Sequence, residues 1–224
     1  MQTSTLAAAA QPRYAVPATP QRDTEASEIR LIGVPMTFAR DQEIFGQGEP
    51  AEHVYKVVKG AVRCFRVLAD GRRQISDFYL PGDLFGVEAG VDRRATAEAL
   101  TDTVLIVARR SALVDDGDDG AMARRMWRLA VAELQRSQDH VLTLGRRAAS
   151  ERVASFLVDL AARLSDEDGL ELPMSRQDIA DFLGLTIETV SRTLTQLQVS
   201  GLIRLRGCRS VQLCRPRALA ELCE

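Results

Sequence analysis

The chain has 224 residues, of which 46% are hydrophobic and 27% are charged, and its formal net charge is -2. This composition is that of an ordinary globular protein, with room for one large domain or two small ones. The nearly balanced charge excludes a protein that coats nucleic acid through uniform basicity, so any attraction to nucleic acid must be local.

The cysteines and the N-terminal segment predict the cellular compartment. Cys64, Cys208, Cys214 and Cys223 form no C-x-x-C pair and no cluster with histidine. The "LAAAA" segment has neither a positive n-region nor a long apolar h-region, and no run approaches the roughly 18 apolar residues of a membrane span. We therefore expect a cytoplasmic protein with free thiols, no metal cluster and no membrane partner.

Turn residues divide the first half of the chain. Residues 1–27 are rich in Ala, Pro, Thr and Gln without periodicity, which predicts a disordered tail. From residue 28 to 117, short β-like runs alternate with turns at Lys59-Gly60, at Asp70-Gly71 and in "LPGDLFG". Several short strands with regular turns predict an antiparallel sandwich or roll.

A long helical pattern follows the acidic break "DDGDDG" at residues 115–120. It predicts a helix from about Ala121 to Arg147, within the segment 118–148, and a second helix from Ser150 to Leu164 with Ser150 as its N-cap. Small and apolar residues recur along the first helix with heptad spacing, at Ala130, Leu134, Ser137, Val141, Leu144 and Ala148.

This heptad stripe allows two interpretations. It either packs on the chain's own sheet or forms a seam with the same helix of a second copy. The small residues Ala130 and Ser137 favour the seam, because they let two helices approach closely. We therefore expect the segment 118–148 to be a dimerisation helix.

Residues 149–224 carry the pattern of a winged helix-turn-helix. The segment "RQDIADFLGLTIETVSRTLTQL" begins at Arg176 and predicts two crossed helices joined at Gly184, where a positive φ is often needed. A β-hairpin, "GLIRLRGCRSVQL", follows as the wing and turns near Gly207. An ordinary helical hairpin is the alternative. The positions expected to be buried between the helices are Ile179, Ala180, Leu183, Val190 and Leu194.

The second of these helices carries the candidate base contacts. Glu188, Ser191 and Arg192 are spaced i, i+3 and i+4, so they share one face. Arg192 can donate twice to guanine O6 and N7, and Glu188 can accept from cytosine N4 or hold the Arg192 guanidinium. Ser191 can bond either kind of base edge, and Ile187 or Thr189 can touch a thymine methyl group.

Phosphate contacts are expected beside these base contacts. The first helix opens with polar residues at 175–177, where N-terminal amides favour anions. Between Leu185 and Arg217 stand six arginines and one acidic residue, an excess that suits a polyanion. The candidate DNA-binding residues are Ser175, Arg176, Gln177, Thr186, Ile187, Glu188, Thr189, Ser191, Arg192, Arg206 and Arg209.

With these motifs the chain resembles transcription regulators of the cyclic-AMP receptor/fumarate-nitrate-reduction (CRP/FNR) superfamily, and most of all their FixK branch. The resemblance covers nearly everything after residue 28, through "YKVVKGAVRCFRVLADGRRQISDFYLPGDLFG" and "MSRQDIADFLGLTIETVSRTLTQL". The E-x-x-S-R motif that reads the family's TTGAT half-site falls on Glu188, Ser191 and Arg192. The resemblance implies an α+β fold with an N-terminal cyclic-nucleotide-binding-like β-roll, a long dimerisation helix and a C-terminal winged helix-turn-helix.

The resemblance also implies a function. A homodimer would bind double-stranded DNA at an inverted repeat of the TTGAT…ATCAA kind, with half-sites about one helical turn apart. It would recruit RNA polymerase and activate genes of low-oxygen metabolism such as nitrogen fixation. In related regulators a loop corresponding to the turn at Asp70, Gly71 and Arg72 touches the polymerase sigma subunit, so this turn is the candidate activating surface.

Nucleotide-binding relatives carry G-E-L and a later R-S or R-A pair in their phosphate pocket. In "FGVEAGVDRRATAEA", the Arg94-Ala95 pair resembles the second element. The first element is altered, because Val87 follows the glycine and Glu88 is displaced by one position. We therefore expect Glu88 and Arg94 to make structural polar contacts rather than bind a cyclic nucleotide.

Other sensor chemistries of the family lack their ligands in this sequence. Residues 1–63 contain no cysteine for an iron–sulfur cluster, and the only histidines are His53 and His140. The leading hypothesis is therefore a regulator without a cofactor or small effector, as is typical of the FixK branch. The alternative is a ligand- or redox-gated regulator of the same fold, in which Cys208, flanked by arginines, is the possible redox thiol.

An enzyme is the least favoured class. The sequence shows no Gly-rich phosphate loop, no metal cluster and no Ser/His/Asp arrangement.

Overall fold

The computed structural model describes residues 31–113, 120–146, 148–164 and 169–223. The tail predicted over residues 1–27 and most of the acidic break at 115–120 lie outside the described residues. Among the helices of the described ranges, none has the length and apolar character that a bilayer crossing requires.

Residues 34–109 form a roll of two antiparallel four-stranded sheets. Thr103 lies in the last strand, and a Cβ built on Gly60 would come within 2.5 Å of its Oγ1, so the turn at Gly60 (φ 89°) requires glycine. The strands are β1 Val34–Phe38, β2 Glu43–Phe45, β3 His53–Lys59, β4 Val62–Val67, β5 Arg73–Tyr79, β6 Leu84–Phe85, β7 Thr96–Ala99 and β8 Thr103–Arg109.

The two sheets have the orders β1-β8-β3-β6 and β2-β7-β4-β5. The rings of Phe45, Tyr55 and Phe85 pack together between them, and Tyr55 stacks on Phe85 with centroids 5.1 Å apart. Cys64 of β4 is buried in the same cluster. The predicted roll is thus confirmed.

Two helices follow the roll, α1 (Ala121–Arg146) and α2 (Ala149–Leu164). The prediction of Ser150 as the N-cap of α2 is wrong, because Ser150 lies inside the helix. The backbone N–H of Ala148 instead donates to the Glu151 carboxylate over 2.9 Å. Because α1 ends at Arg146, Ala148 lies beyond this helix rather than on its stripe.

The C-terminal part contains the predicted helix pair and wing, with two further elements. The strand β9 (Leu170–Glu171) was not predicted, and it pairs with β11 (Ser210–Leu213). The final helix, α5, was not predicted; proline stands in its first turn. The elements are β9 Leu170–Glu171, α3 Arg176–Leu183, α4 Ile187–Val199, β10 Ile203–Arg206, β11 Ser210–Leu213 and α5 Pro216–Glu221.

One hydrophobic core joins the roll to the C-terminal part. Ile75 and Phe78 of β5 belong to the same buried cluster as Leu157 of α2 and Ile179 of α3. The rings of Phe78 and Phe182 are 5.2 Å apart. The position of the helix-turn-helix is therefore set in part by side chains of the roll.

Candidate nucleic-acid interface

The first helix of the pair, α3, begins with a reciprocal cap. The Ser175 hydroxyl accepts from the backbone N–H of Asp178 over 3.1 Å, and the Asp178 carboxylate accepts from the backbone N–H of Ser175 over 2.9 Å. Such a capping box satisfies two of the donors that a helix N-terminus leaves free. Ser175, which the sequence predicted to contact DNA, serves as the N-cap of α3.

The turn between the helices depends on Gly184 and Thr186. Gly184 has the left-handed conformation (φ 62°), and its N–H donates to the carbonyl of Ala180. The Thr186 hydroxyl accepts from the backbone N–H of Thr189 over 3.2 Å and so caps α4. The predicted helix-turn-helix is confirmed, with Val190 and Leu194 buried between the helices.

This geometry leaves the first turn of α4 open to solvent. Glu188 and Arg192 are exposed, and Ser191 between them is half-buried. The Glu188 pKa is lowered by its own backbone N–H and by the Thr186 hydroxyl, so the carboxylate is ionised at neutral pH. No ion pair joins Glu188 to Arg192 among the described residues, so the guanidinium remains available to a partner.

Two of the remaining predicted contacts, Arg176 and Gln177, already have hydrogen-bond partners within the chain. Arg176 donates from Nη1 to the Ser191 hydroxyl over 3.3 Å, and Gln177 donates to the Asp181 carboxylate over 2.6 Å. Thr189 is half-buried, whereas the side chain of Ile187 is 38% exposed. Arg176 therefore contacts Ser191 of α4, beside Glu188 and Arg192, and the sequence did not reveal this contact.

The wing is a hairpin of β10 and β11 that turns at Gly207 (φ 79°). Arg206 donates across the hairpin to Gln212 over 3.1 Å, and Arg209 is half-buried beside the turn. Cys208 is exposed at the tip between these two arginines. Arg206 and Arg209 thus place positive charge on the wing beside α4.

The predicted heptad stripe of α1 is largely exposed. Ala130, Leu134, Ser137 and Val141 face solvent, and Leu134 and Val141 are 58% and 67% exposed. The stripe therefore does not pack on the chain's own sheet. A neighbouring stripe that includes Met126 does so instead, since Met126 packs against the buried pair Val54 and Ala108.

Two residues modify the predicted stripe. Trp127, 71% exposed, continues the spacing toward the N-terminus, three residues before Ala130, and the sequence pattern could have included it. Leu144 is half-buried and lies beside the turn of the helix-turn-helix, where its Cδ2 would be 3.7 Å from a Cβ on Gly184.

An arginine that the sequence did not single out is buried in the roll. Arg93 is 3% exposed and donates to the carbonyls of Gly86 and His53 over 2.6 and 2.5 Å. Its guanidinium lies 4.1 Å from the ring centroid of Phe45. The sequence "RRA" contains two adjacent arginines, and the resemblance to the nucleotide pocket pointed to the second, Arg94, and not to Arg93.

Glu88 and Arg94, in contrast, make the expected structural contact. The backbone N–H of Arg94 donates to the Glu88 carboxylate over 3.2 Å, and the carbonyl of Arg94 accepts from Arg66 over 2.7 Å.

In the part of the chain that the structure describes, no group of three or more His, Cys, Asp or Glu side chains could hold a metal ion.

The turn at Asp70, Gly71 and Arg72 is exposed and internally ordered. The Asp70 carboxylate accepts from the backbone N–H and from the guanidinium of Arg72, over 3.0 and 2.7 Å. These bonds hold the pKa of Asp70 below its usual range. Gly71 has φ 81° at the tip of the β4–β5 hairpin.

Family models and curated relatives agree with this geometry. Residues 35–115 match the cyclic nucleotide-binding domain, and residues 151–222 match the Crp-like helix-turn-helix domain. The chain is 50% identical over 203 residues to the nitrogen fixation regulation protein FixK of Azorhizobium caulinodans, which covers 88% of this chain and 82% of that protein. It is 46% identical over 187 residues to the FixK protein of Rhizobium meliloti, with 84% and 86% covered.

A solved structure gives the same answer. The structure of FixK2 from Bradyrhizobium japonicum superimposes with a TM-score of 0.82 at 47% identity, covering 86% of this chain and 98% of that one. The domain order, the capped recognition helix and these relatives agree. The chain therefore belongs to the CRP/FNR superfamily of transcription regulators, in its FixK-like branch, and carries the superfamily's helix-turn-helix DNA-binding domain.

Proposed function

We propose that the protein acts as a homodimer that reads a TTGAT…ATCAA-type palindrome in DNA and activates transcription from it. The observation that carries the proposal is the exposed Glu188 and Arg192 on the capped first turn of α4, beside an arginine-bearing wing. An ionised Glu188 can accept from cytosine N4, and an unpaired Arg192 can donate twice to guanine. The named FixK relatives regulate nitrogen fixation, which supports low-oxygen metabolism as the output and the cytoplasm as the location.

The exposed stripe of α1 supports the dimer. From Trp127 to Leu144 the stripe spans about 26 Å of helix, at about 1.5 Å of rise per residue. Apolar residues with heptad spacing that are left in water by one chain are what a second identical helix would cover. Two copies related by a two-fold axis would place both α4 helices toward one side of a duplex.

The buried Arg93 supports a reader that needs no small effector. Arg93 already donates to the carbonyls of His53 and Gly86 and stacks on Phe45. The side chains of the roll thus supply the polar and aromatic contacts that a ligand would otherwise make. Recruitment of RNA polymerase would use the exposed turn at Asp70–Arg72, in which the Asp70 carboxylate and the Arg72 guanidinium form an ion pair.

The test is a fluorescence anisotropy titration of purified protein, in air and without added ligand, against a TTGAT-N4-ATCAA duplex. A scrambled duplex of equal length is the control. A Kd of about 10⁻⁸ M or tighter, well below that for the control, is expected for specific recognition. Equal weak binding to both duplexes would contradict effector-independent reading of this palindrome.

A redox gate at Cys208 is the second candidate, because this exposed thiol lies between Arg206 and Arg209 on the wing. Oxidation to a sulfinate would add negative charge beside the phosphates. Peroxide should weaken DNA binding of the wild type and of Cys214→Ser, which retains the wing-tip thiol, but not of Cys208→Ser. Persisting peroxide sensitivity in Cys208→Ser would remove the candidate.

A further inference from the structure

The contact between the β-roll and α3 contains a group of ionic side chains around the buried carboxylate of Asp178. Arg63 of β4 and Arg73 of β5 both donate to Oδ1 of Asp178, over 3.2 and 2.7 Å. Arg73 also donates from Nε to Asp181 over 2.9 Å. The Asp178 side chain is only 4% exposed. We call Arg63, Arg73, Asp178 and Asp181 the Asp178 cluster.

Asp178 joins this cluster to the start of the helix-turn-helix. Its Oδ2 accepts from Ser175 and so caps α3, while its Oδ1 accepts from the two arginines of the roll. Burial alone would raise the pKa of Asp178, but the hydrogen bonds from Ser175 and the charges of Arg63 and Arg73 outweigh it and lower the pKa. The carboxylate therefore stays ionised, and it accepts hydrogen bonds from the roll and from the start of α3 at the same time.

The other end of α3 is also held by residues outside the helix-turn-helix. Gln74 of β5 donates to the carbonyls of Asp181 and Phe182, over 2.7 and 3.4 Å. Arg152 of α2 donates to the carbonyl of Leu183 over 3.0 Å. These carbonyls belong to the last turn of α3, where backbone C=O groups have no N–H donor within the helix.

Both ends of α3 are thus fixed to neighbouring elements, and α3 packs directly on α4. We propose that Arg73 and Gln74, with the Asp178 cluster, act as positioning residues that orient α4 relative to the rest of each protomer and so select one spacing between DNA half-sites. This inference rests on the proposed function as a dimeric reader of a palindrome.

The reason is geometric. Each base pair added between the half-sites rotates the second one by about 34° and moves it by about 3.4 Å along the axis. A dimer whose DNA-binding units are rigidly held can follow only one spacing. A dimer in which α3 is loosely attached can follow several, while each unit still reads its own half-site.

The experiment measures the affinity of the full chain for duplexes with TTGAT…ATCAA half-sites separated by three, four, five or six base pairs, and for a duplex with a single half-site. The test variants are Arg73→Gln and Gln74→Leu, of which the second leaves no buried charge unpaired. Arg66→Gln is the matched control, because Arg66 also lies on the hairpin but donates within the roll, to the carbonyl of Arg94.

We expect the wild type and Arg66→Gln to share one sharp spacing preference. In Arg73→Gln and Gln74→Leu, the ratio between the best and the other spacings should fall by about three- to thirtyfold, with single half-site affinity unchanged. An unchanged spacing ratio in both variants would overturn the inference. So would an equal loss on every duplex, since it would mean that these residues only support the helix-turn-helix fold. Failure of the wild type to prefer any palindrome over a scrambled duplex would count against the proposed function instead.

Discussion

Arg192 and Glu188 stand exposed on α4 one turn apart, while Val190 and Leu194 of the same helix are buried. Helical spacing therefore separates residues that hold α4 in place from residues that can read bases. Arg176 adds to this face by donating to Ser191, which leaves the hydroxyl proton of Ser191 free to donate to a base acceptor.

Arg192→Ala tests the assignment of base reading at this scale. Loss of a bidentate contact to guanine should cost about 1–3 kcal/mol of binding free energy and relax the preference at one base pair. The measurement is a set of titrations with single-base variants of one half-site. A uniform loss on all variants would show that Arg192 contacts only the backbone.

Arg209→Ala tests the phosphate role of the wing. Because a phosphate contact carries no sequence information, affinity should fall on every duplex alike. The slope of log K against log salt should become shallower by about one. A changed base preference with an unchanged slope would contradict this role.

At the scale of elements, two adjacent faces of α1 have different surroundings. The face that includes Met126 covers the roll. The adjacent face, which includes Trp127, Leu134 and Val141, is exposed to solvent. His140 lies on the covered side and stacks on Phe182 of α3, with ring centroids 4.3 Å apart. The same helix can thus contact a partner and the helix-turn-helix at once.

Leu134→Asp should break the dimer, because it buries a charge at the centre of an apolar seam. The mass measured by light scattering should fall to that of one chain, and DNA affinity should fall with it. Gln135→Asp is the matched control, since Gln135 is the exposed next residue but lies outside the stripe. A dimeric Leu134→Asp variant would place the interface elsewhere.

At the scale of the whole molecule, the Asp178 cluster makes stability depend on pH. The pKa of Asp178 is lower in the folded chain than the roughly 3.9 of a free aspartate. Its ionised form therefore contributes stability above about pH 4. That contribution is lost as pH falls through the folded value.

Asp178→Asn should reduce the free energy of unfolding by about 3–5 kcal/mol at pH 7, because it disrupts a buried and paired charge. The difference from the wild type should shrink as the pH is lowered below about 4. Urea unfolding at pH 7 and pH 3 measures both values. Asp102→Asn, at an exposed site, should show little effect at either pH, and an equally large difference at both pH values for Asp178→Asn would contradict the ionic role.

Local chemistry explains what could be predicted from the sequence. Gly184 needs a positive φ, Val190 and Leu194 follow the helical period, and the turns at Gly60 and Gly71 separate apolar runs. Each of these signals acts over a few residues, so the roll, the long helix, the helix-turn-helix and its exposed E-x-x-S-R face could be identified without coordinates.

Contacts between distant residues decided the rest. In the sequence, Asp178 is a polar residue in the first turn of a predicted helix. In the fold it accepts a hydrogen bond from Arg63, which is 115 positions away. Arg93 and Arg94 are neighbours of the same type, and only the fold buries one of them against Phe45. The strand β9 exists because β11 offers it a partner. Such pairings depend on which elements become adjacent in three dimensions, and local propensity contains no term for that adjacency.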